Sequence, residues 1–353
     1  MSRIIAVAPV LPDHAYSQAE ITAELASMLV PDSPKRALLE RLHAGTRIGT
    51  RHTALPLEAY RDLGSFGESN DHWIRVGTQL SERAVRRALL TAGLQPTDVD
   101  HLFFTSVTGV AAPSIDARLV PLLGLRPDVK RIPSFGLGCV AGASGLARVH
   151  DYLKGHPDDI AVLLSVELCS LTVQRDDASV ANFVASGLFG DGAAAVVVAG
   201  ENRARELGIA GPEIVDTRSC FYADTADVIG WDVRDTGFQI VLSAGVAEAI
   251  DANFGPDVAT LLRAHDLDVP DIGAWIAHPG GPRVLEAFAD SLGLTEQDLA
   301  PSWRSLEQVG NLSSSSVLHI LADVAEQPAG TRGLLFALGP GVTAELVLLR
   351  WAA

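Results

Sequence analysis

The 353-residue chain has little cysteine, little positive charge and no long apolar run. Its three cysteines, Cys139, Cys169 and Cys220, lack metal-ligand spacing and make no disulfide framework, which fits a reducing compartment. Lys and Arg number 27 against 43 Asp and Glu, a net charge of −16. Nucleic-acid binding needs a basic excess to neutralise phosphates, so that class is excluded, and any anionic substrate requires a local basic rim. No stretch approaches the ~20 apolar residues that span a bilayer; "GAAAVVVAG" reads as a buried strand. The apolar patch in "MSRIIAVAPVLPDH" is too short for a secretory signal. A soluble, cytoplasmic protein without a membrane span is expected.

What the chain has is apolar residues, 48% of the total, arranged in an α/β alternation. "HWIRVGTQLSERAVRRALLTAGL" predicts a helix ending near Gly93, and "HLFFTSVTG", "DIAVLLSVEL" and "AAAVVVAG" predict buried strands. "GVAEAIDANFGPDVATLLRAH" is largely helical, Val317, Ile320, Leu321 and Val324 form a helical stripe, and "AELVLLRW" is a final strand. One internal echo stands out. "TAGLQPTDVDHLFFTS" (91–106) and "RAHDLDVPDIGAWIAH" (263–278) share a helix end, an aspartate before a β-branched residue (Asp98, Asp271), and an apolar strand. This fits two related halves, 1–204 and 205–353, joined at the polar stretch 200–209.

Three segments carry candidate chemistry. In "SFGLGCVAGA" Cys139 sits among glycines where a strand becomes a helix, a place where unpaired N–H groups favour a thiolate and glycines permit close approach. A small buried cysteine at a tight turn is the rival reading. "WIAHPGG" puts His278 at a strand end, and "VGNLSSSS" puts Asn311 before the C-terminal helix; a turn histidine and a capping asparagine are the plain alternatives. Together they supply a nucleophile, an acid/base and a neutral amide donor. That set suits decarboxylation of a malonyl thioester: two neutral donors stabilise the enolate, and the cysteine carries the acyl group it attacks.

The motifs "GLGCVAGASGLAR", "LFGDGAAAVVV", "WIAHPGGPRVLE", "GNLSSSSVLHIL" and "ALGPGVTAELVLLR" occur in this order along nearly the whole chain. With them the sequence resembles the type III polyketide synthases, the chalcone-synthase-like branch of the thiolase-fold condensing enzymes. The resemblance implies an α/β thiolase-like five-layer αβαβα fold of two pseudo-duplicated halves. It also implies catalytic Cys139, His278 and Asn311, with His278 helping Cys139 to ionise. Phe189 matches the family's gatekeeping phenylalanine, and Ile240 stands where a second one is expected. Thr172, Cys169 and Ser313 fall at cavity-lining positions, and Pro340 shapes the cavity floor; core packing is the rival reading for Phe189, Thr172 and Ile240. No metal and no resident cofactor are implied, since CoA thioesters are substrates.

The rim that holds CoA phosphates matches less well. Arg41 is in register, Leu38 and Gly45 replace expected lysines, and Arg36, Arg47 and Arg51 are candidates to substitute, unless they form an ordinary solvated face. Arg283 lies where relatives contact CoA through the backbone. Trp231, in "VIGWDVRDTGF", replaces a cavity-wall glycine of plant chalcone synthases, unless it is ordinary core. Its context is similar to bacterial alkylpyrone and alkylresorcinol synthases, so an alkylpyrone-type tri- or tetraketide is expected, with a resorcinol as the alternative. The family dimerises through a position that is Ala112 here, so a homodimer acting on acyl-CoA starter and malonyl-CoA extender is expected. A ketoacyl-ACP synthase III is the nearest rival, opposed by "HPGGP", "GNLSSSS" and the Gly-Pro-Gly loop. A non-catalytic acyl-CoA binder has no need of the whole Cys-His-Asn set.

Overall fold

The computed structural model of the protein describes residues 1–243 and 245–352. Strands β1 (Ser2–Val10), β4 (His101–Thr105), β5 (Lys130–Ser134), β6 (Ile160–Leu168), β7 (Asp191–Ala199), β8 (Pro212–Phe221), β11 (Ala274–Ala277), β12 (Arg332–Gly339) and β13 (Thr343–Trp351) join in one sheet. Their order is β11-β12-β13-β8-β1-β7-β6-β4-β5. Two hairpin-like pairs lie outside it, β2 (His14–Ser17) with β3 (Thr50–Thr53), and β9 (Ile229–Arg234) with β10 (Gly237–Leu242).

The sheet order contains a repeat. β1 pairs antiparallel with β7, β7 antiparallel with β6, and β6 parallel with β4. The same directions recur in β8–β13, β13–β12 and β12–β11. The halves meet where β1 pairs with β8, through Ser2 opposite Ile214 and Arg3 opposite Glu213. The echo at 91–106 and 263–278 falls on equivalent places, leading into β4 and β11. In each copy the aspartate accepts a hydrogen bond from a backbone N–H three residues earlier, Asp98 from Gln95 at 2.8 Å and Asp271 from Asp268 at 2.9 Å. The polar stretch at 200–209 is the helix Glu201–Leu207, ended by Gly208 in a left-handed conformation.

Alternation along buried strands sorts side chains into layers. Ala193, Ala195 and Val197 of β7 face the helix Phe66–Ala92, while Ala194, Val196 and Val198 face the helices Ala141–Gly155 and Ser316–Asp323. In the second half Leu346 and Leu348 of β13 face the helices Gly245–Arg263 and Pro282–Leu292, and Val347 and Leu349 turn inward to the same central helices. The two halves of the one sheet thus act as separate layers, in the order helix, half-sheet, helix, half-sheet, helix: the thiolase-like five-layer arrangement. Helix Phe66–Ala92 stops at Gly93, where φ is +67°, as its sequence predicts. No helix among the described residues is long and apolar enough to cross a membrane.

Candidate active site

Cys139 follows β5 through a loop into the turn Gly138–Val140, which opens the central helix Ala141–Gly155. Two glycines make that placement possible. A Cβ on Gly138, whose φ is +55°, would lie 2.5 Å from Cδ of Pro340. One on Gly142 would lie 2.2 Å from the Ser314 carbonyl oxygen. The first contact puts Pro340, in the loop between β12 and β13, against the residue before the cysteine. The second brings the segment that carries Asn311 alongside it.

A chain of hydrogen bonds links the three expected catalytic residues. The Cys139 thiol donates to Ser313 Oγ at 3.5 Å. Asn311 Oδ1 accepts from the Ser313 N–H at 2.8 Å and from Ser316 Oγ at 3.4 Å. Asn311 Nδ2 donates to the Gly280 carbonyl at 3.4 Å, and Gly280 N–H to the His278 carbonyl at 2.9 Å. His278 directly follows β11, held by its N–H to Phe336 of β12 at 2.9 Å. The 3.4 Å bond is long for an amide donor, so Asn311 Nδ2 keeps most of its capacity for a substrate oxygen. His278 Nδ1 is buried without a partner.

The ionisation expected from the sequence is corrected here. Cys139 is buried rather than exposed, and burial pushes its thiol up to about 12, with the nearby Glu167 adding to the rise. Only the hydrogen bond to Ser313 and a backbone hydrogen bond act against that rise. Burial also drives the His278 imidazole down to about 3, and the hydrogen bond of the thiol goes to Ser313. The resting pair is neutral thiol and neutral imidazole.

Glu167 escaped the sequence reading. It lies at the end of β6, fully buried, and one oxygen accepts from Ser106 Oγ at 3.3 Å, Val107 N–H at 3.1 Å and Thr108 Oγ1 at 3.0 Å. The other accepts from Ser313 Oγ at 3.3 Å and from Ser314 Oγ. Burial raises its carboxyl to about 7 in spite of these donors. The serine run has its explanation in the same contacts. Ser314 and Ser315 also bond Ser165 at 2.8 and 2.7 Å, and Ser316 accepts from Leu312 N–H at 2.7 Å. Ser313 has a φ of +51°, a conformation that costs a β-carbon residue about 1 kcal/mol and is held by these bonds. An acidic residue inside the apolar run "VLLSVEL" was the available signal.

Cys169, Thr172, Phe189, Trp231 and Ile240 line one pocket, with about 40 Å³ of open space. Trp231 and Ile240 are cross-strand partners on β9 and β10. The hairpin is docked by Gln174, whose Nε2 donates to the Phe238 carbonyl at 3.2 Å. Phe189 is tied to the Asn311 segment: it bridges Asn311, with Asn311 N–H donating to Leu188 O at 3.0 Å and Gly190 N–H to Asn311 O at 2.9 Å.

The basic candidates divide. Arg36, Arg41, Arg47 and Arg283 are exposed. Arg36 pairs with Glu40 at 2.9 Å; Arg47 pairs with Glu296 at 2.6 Å and lies over the Trp303 ring at 4.0 Å. Opening such exposed pairs for a phosphate costs at most about 1 kcal/mol each. Arg51 is corrected: it is buried, 4% exposed, and cannot reach CoA phosphates at the surface. Its Nη1 donates to the Ser186 and Phe189 carbonyls, both at 2.7 Å, and its Nε to Gln18 Oε1 at 2.9 Å. Among the described residues there is no group of three or more His, Cys, Asp or Glu able to hold a metal ion.

The chain matches the family described as chalcone and stilbene synthases, in its N-terminal domain over residues 1–202 and its C-terminal domain over 213–352. It is 52% identical to the 1,3,6,8-tetrahydroxynaphthalene synthase of Streptomyces peucetius subsp. caesius over 351 residues, 99% of this chain and 93% of that protein. It is 30% identical to the alpha-pyrone synthesis polyketide synthase-like Pks18 of Mycobacterium tuberculosis (strain ATCC 25618 / H37Rv), over 96% of this chain and 88% of that protein. The crystal structure of the 1,3,6,8-tetrahydroxynaphthalene synthase from Streptomyces coelicolor A3(2), a bacterial type III polyketide synthase, superposes with a TM-score of 0.92 at 32% identity, covering 99% of both chains.

Proposed function

Because the chain belongs to the chalcone and stilbene synthase family and is a type III polyketide synthase, we propose that it builds an aromatic pentaketide of the tetrahydroxynaphthalene type from malonyl-CoA alone. The observation that carries this reading is 52% identity to a tetrahydroxynaphthalene synthase across 99% of the chain. A naphthalene has ten ring carbons, which is five two-carbon units, so malonyl-CoA serves as both starter and extender and every unit loses carbon dioxide. No resident cofactor is required.

In this reading the Cys139 sulfur attacks the starter thioester, its proton leaving with the CoA thiol. The imidazole of neutral His278 and Nδ2 of Asn311 donate to the thioester oxygen of the next malonyl-CoA as its carboxylate departs. The enolate carbon then attacks the acyl group on Cys139, the Cys139 S–C bond breaks and the extended chain is left on CoA; its transfer back to Cys139, releasing CoA thiol, lets the cycle repeat. The exposed Arg36, Arg41, Arg47 and Arg283 are the candidates to receive CoA phosphates.

The alkylpyrone expected from Trp231 stands as the second reading. It is favoured by the narrow pocket that Trp231 and Ile240 share, and by the 30% likeness to the α-pyrone enzyme. Incubating the protein with malonyl-CoA, with and without a panel of short to long acyl-CoA starters, separates the two. Naphthalene formed from malonyl-CoA alone supports the first, and pyrones formed only with an added starter support the second.

A homodimer is part of the proposal. Of the two edge strands, β11 is buried and β5 is exposed over Lys130–Pro133, with Ile132 48% and nearby Phe135 51% exposed. Such an edge invites a second copy to pair with it.

A further inference from the structure

Arg51 Nη2 is a buried donor without a partner, on a side chain that lines the same pocket as Trp231, Ile240 and Phe189. The other nitrogens of this guanidinium are used: Nε and Nη1 bind Gln18 and two wall carbonyls. A counter-ion is near but engaged. Asp191 Oδ1 accepts from Ser170 N–H at 2.8 Å, and Oδ2 accepts from Ala54 N–H at 2.6 Å and from Ser170 Oγ. Burial lowers Arg51 to about 10, so it stays protonated at neutral pH. Buried polar groups in native proteins are almost always satisfied, and an unpaired positive one on a side chain that lines a cavity calls for an anionic acceptor. The pocket is otherwise mostly apolar, and Cys169 in its wall follows by two residues Glu167, which accepts from the Ser313 hydroxyl that in turn accepts from the Cys139 thiol.

We propose that Arg51 Nη2 binds the distal carboxylate of a dicarboxylic acyl unit carried on Cys139, and so selects malonyl-type starters over alkyl ones. The inference rests on the malonyl-primed reading above. The loading step is ordinary acyl transfer: the Cys139 S–C bond forms, the CoA S–C bond breaks, and the cysteine proton ends on CoA.

The test is the rate at which Cys139 is loaded, followed by intact-protein mass spectrometry, with succinyl-CoA and butyryl-CoA. These have equal chain length and differ by one carboxylate. Wild type is expected to load succinyl-CoA at least about tenfold faster, the effect of one charge-assisted hydrogen bond. Arg51→Gln collapses that ratio and Arg51→Lys restores part of it. A wild-type ratio near one overturns the proposal, and needs no variant to fold. An unchanged ratio in Arg51→Gln overturns it too, as does equal loss of both starters in Gln and Lys variants, which would make Arg51 a wall anchor only. Loading is read without any product. A wild type that prefers succinyl-CoA yet makes no naphthalene contradicts the proposed product and leaves the Arg51 site standing.

Discussion

At the scale of single residues, burial holds the proposed reacting groups Cys139 and His278 uncharged. His278, near 3, does not titrate between pH 5.5 and 8, whereas Cys139, near 12, is protonated throughout that range. Malonyl-CoA decarboxylation by a Cys139→Ala variant is therefore expected to be flat from pH 5.5 to 8, measured as carbon dioxide release. Loading of Cys139 in wild type rises with pH over the same interval. Replacing Asn311 by Ala removes one enolate donor and lowers decarboxylation about 100-fold or more. A fall of only a few-fold would show that Asn311 is structural.

Glu167 gives a stability prediction with a definite sign. Its carboxyl is near 7 when folded against 4.5 as the reference, so the folded state holds a proton that the unfolded chain has lost. The contribution is present below about pH 4.5 and disappears as pH rises through about 7, a difference on the order of 3 kcal/mol. Denaturant unfolding of wild type and Glu167→Gln should show the variant gaining relative to wild type from pH 5 to 8. A constant difference would mean Glu167 is ionised at both.

At the scale of elements, β9 and β10 set the shape of the pocket through the facing pair Trp231 and Ile240. Trp231→Gly is expected to enlarge the pocket and raise turnover of long acyl-CoA starters at least about tenfold relative to short ones, read by product mass. An unchanged starter profile would place the length limit elsewhere. The elements themselves were readable where periodicity was clean. "DIAVLLSVEL", "AELVLLRW" and the Gly93 stop became β6, β13 and the end of helix Phe66–Ala92. Cys139 and Asn311 could be named because glycine and serine contexts mark them. The state of the Cys139 thiol could not be, since burial and the nearby Glu167, both products of tertiary packing, raise it. Arg51 failed for the same reason: a charge among polar neighbours in sequence reads as surface, and only tertiary packing puts it inside.

At the scale of the whole molecule, the duplicated sheet sandwiches two central helices and so aligns the cysteine loop of one half with the His and Asn segments of the other. The echo around Asp98 and Asp271 was the readable trace of that duplication, because the same turn chemistry leads into β4 and β11. The free edge at β5 predicts a particle of about twice the 37.2 kDa chain by analytical ultracentrifugation. Ile132→Glu, which places a charge on that edge, is expected to shift it toward monomer. A monomeric wild type would contradict the dimer.

The central claim is that one buried Cys-His-Asn site assembles its product from malonyl-CoA alone. It is tested most directly by supplying malonyl-CoA labelled with carbon-13 throughout its malonyl group, without any other acyl-CoA, and reading the product by mass spectrometry beside a Cys139→Ala blank. The account predicts a tetrahydroxynaphthalene with all ten carbons labelled, absent from the blank. No product without an added starter, or the same product from Cys139→Ala, would contradict it.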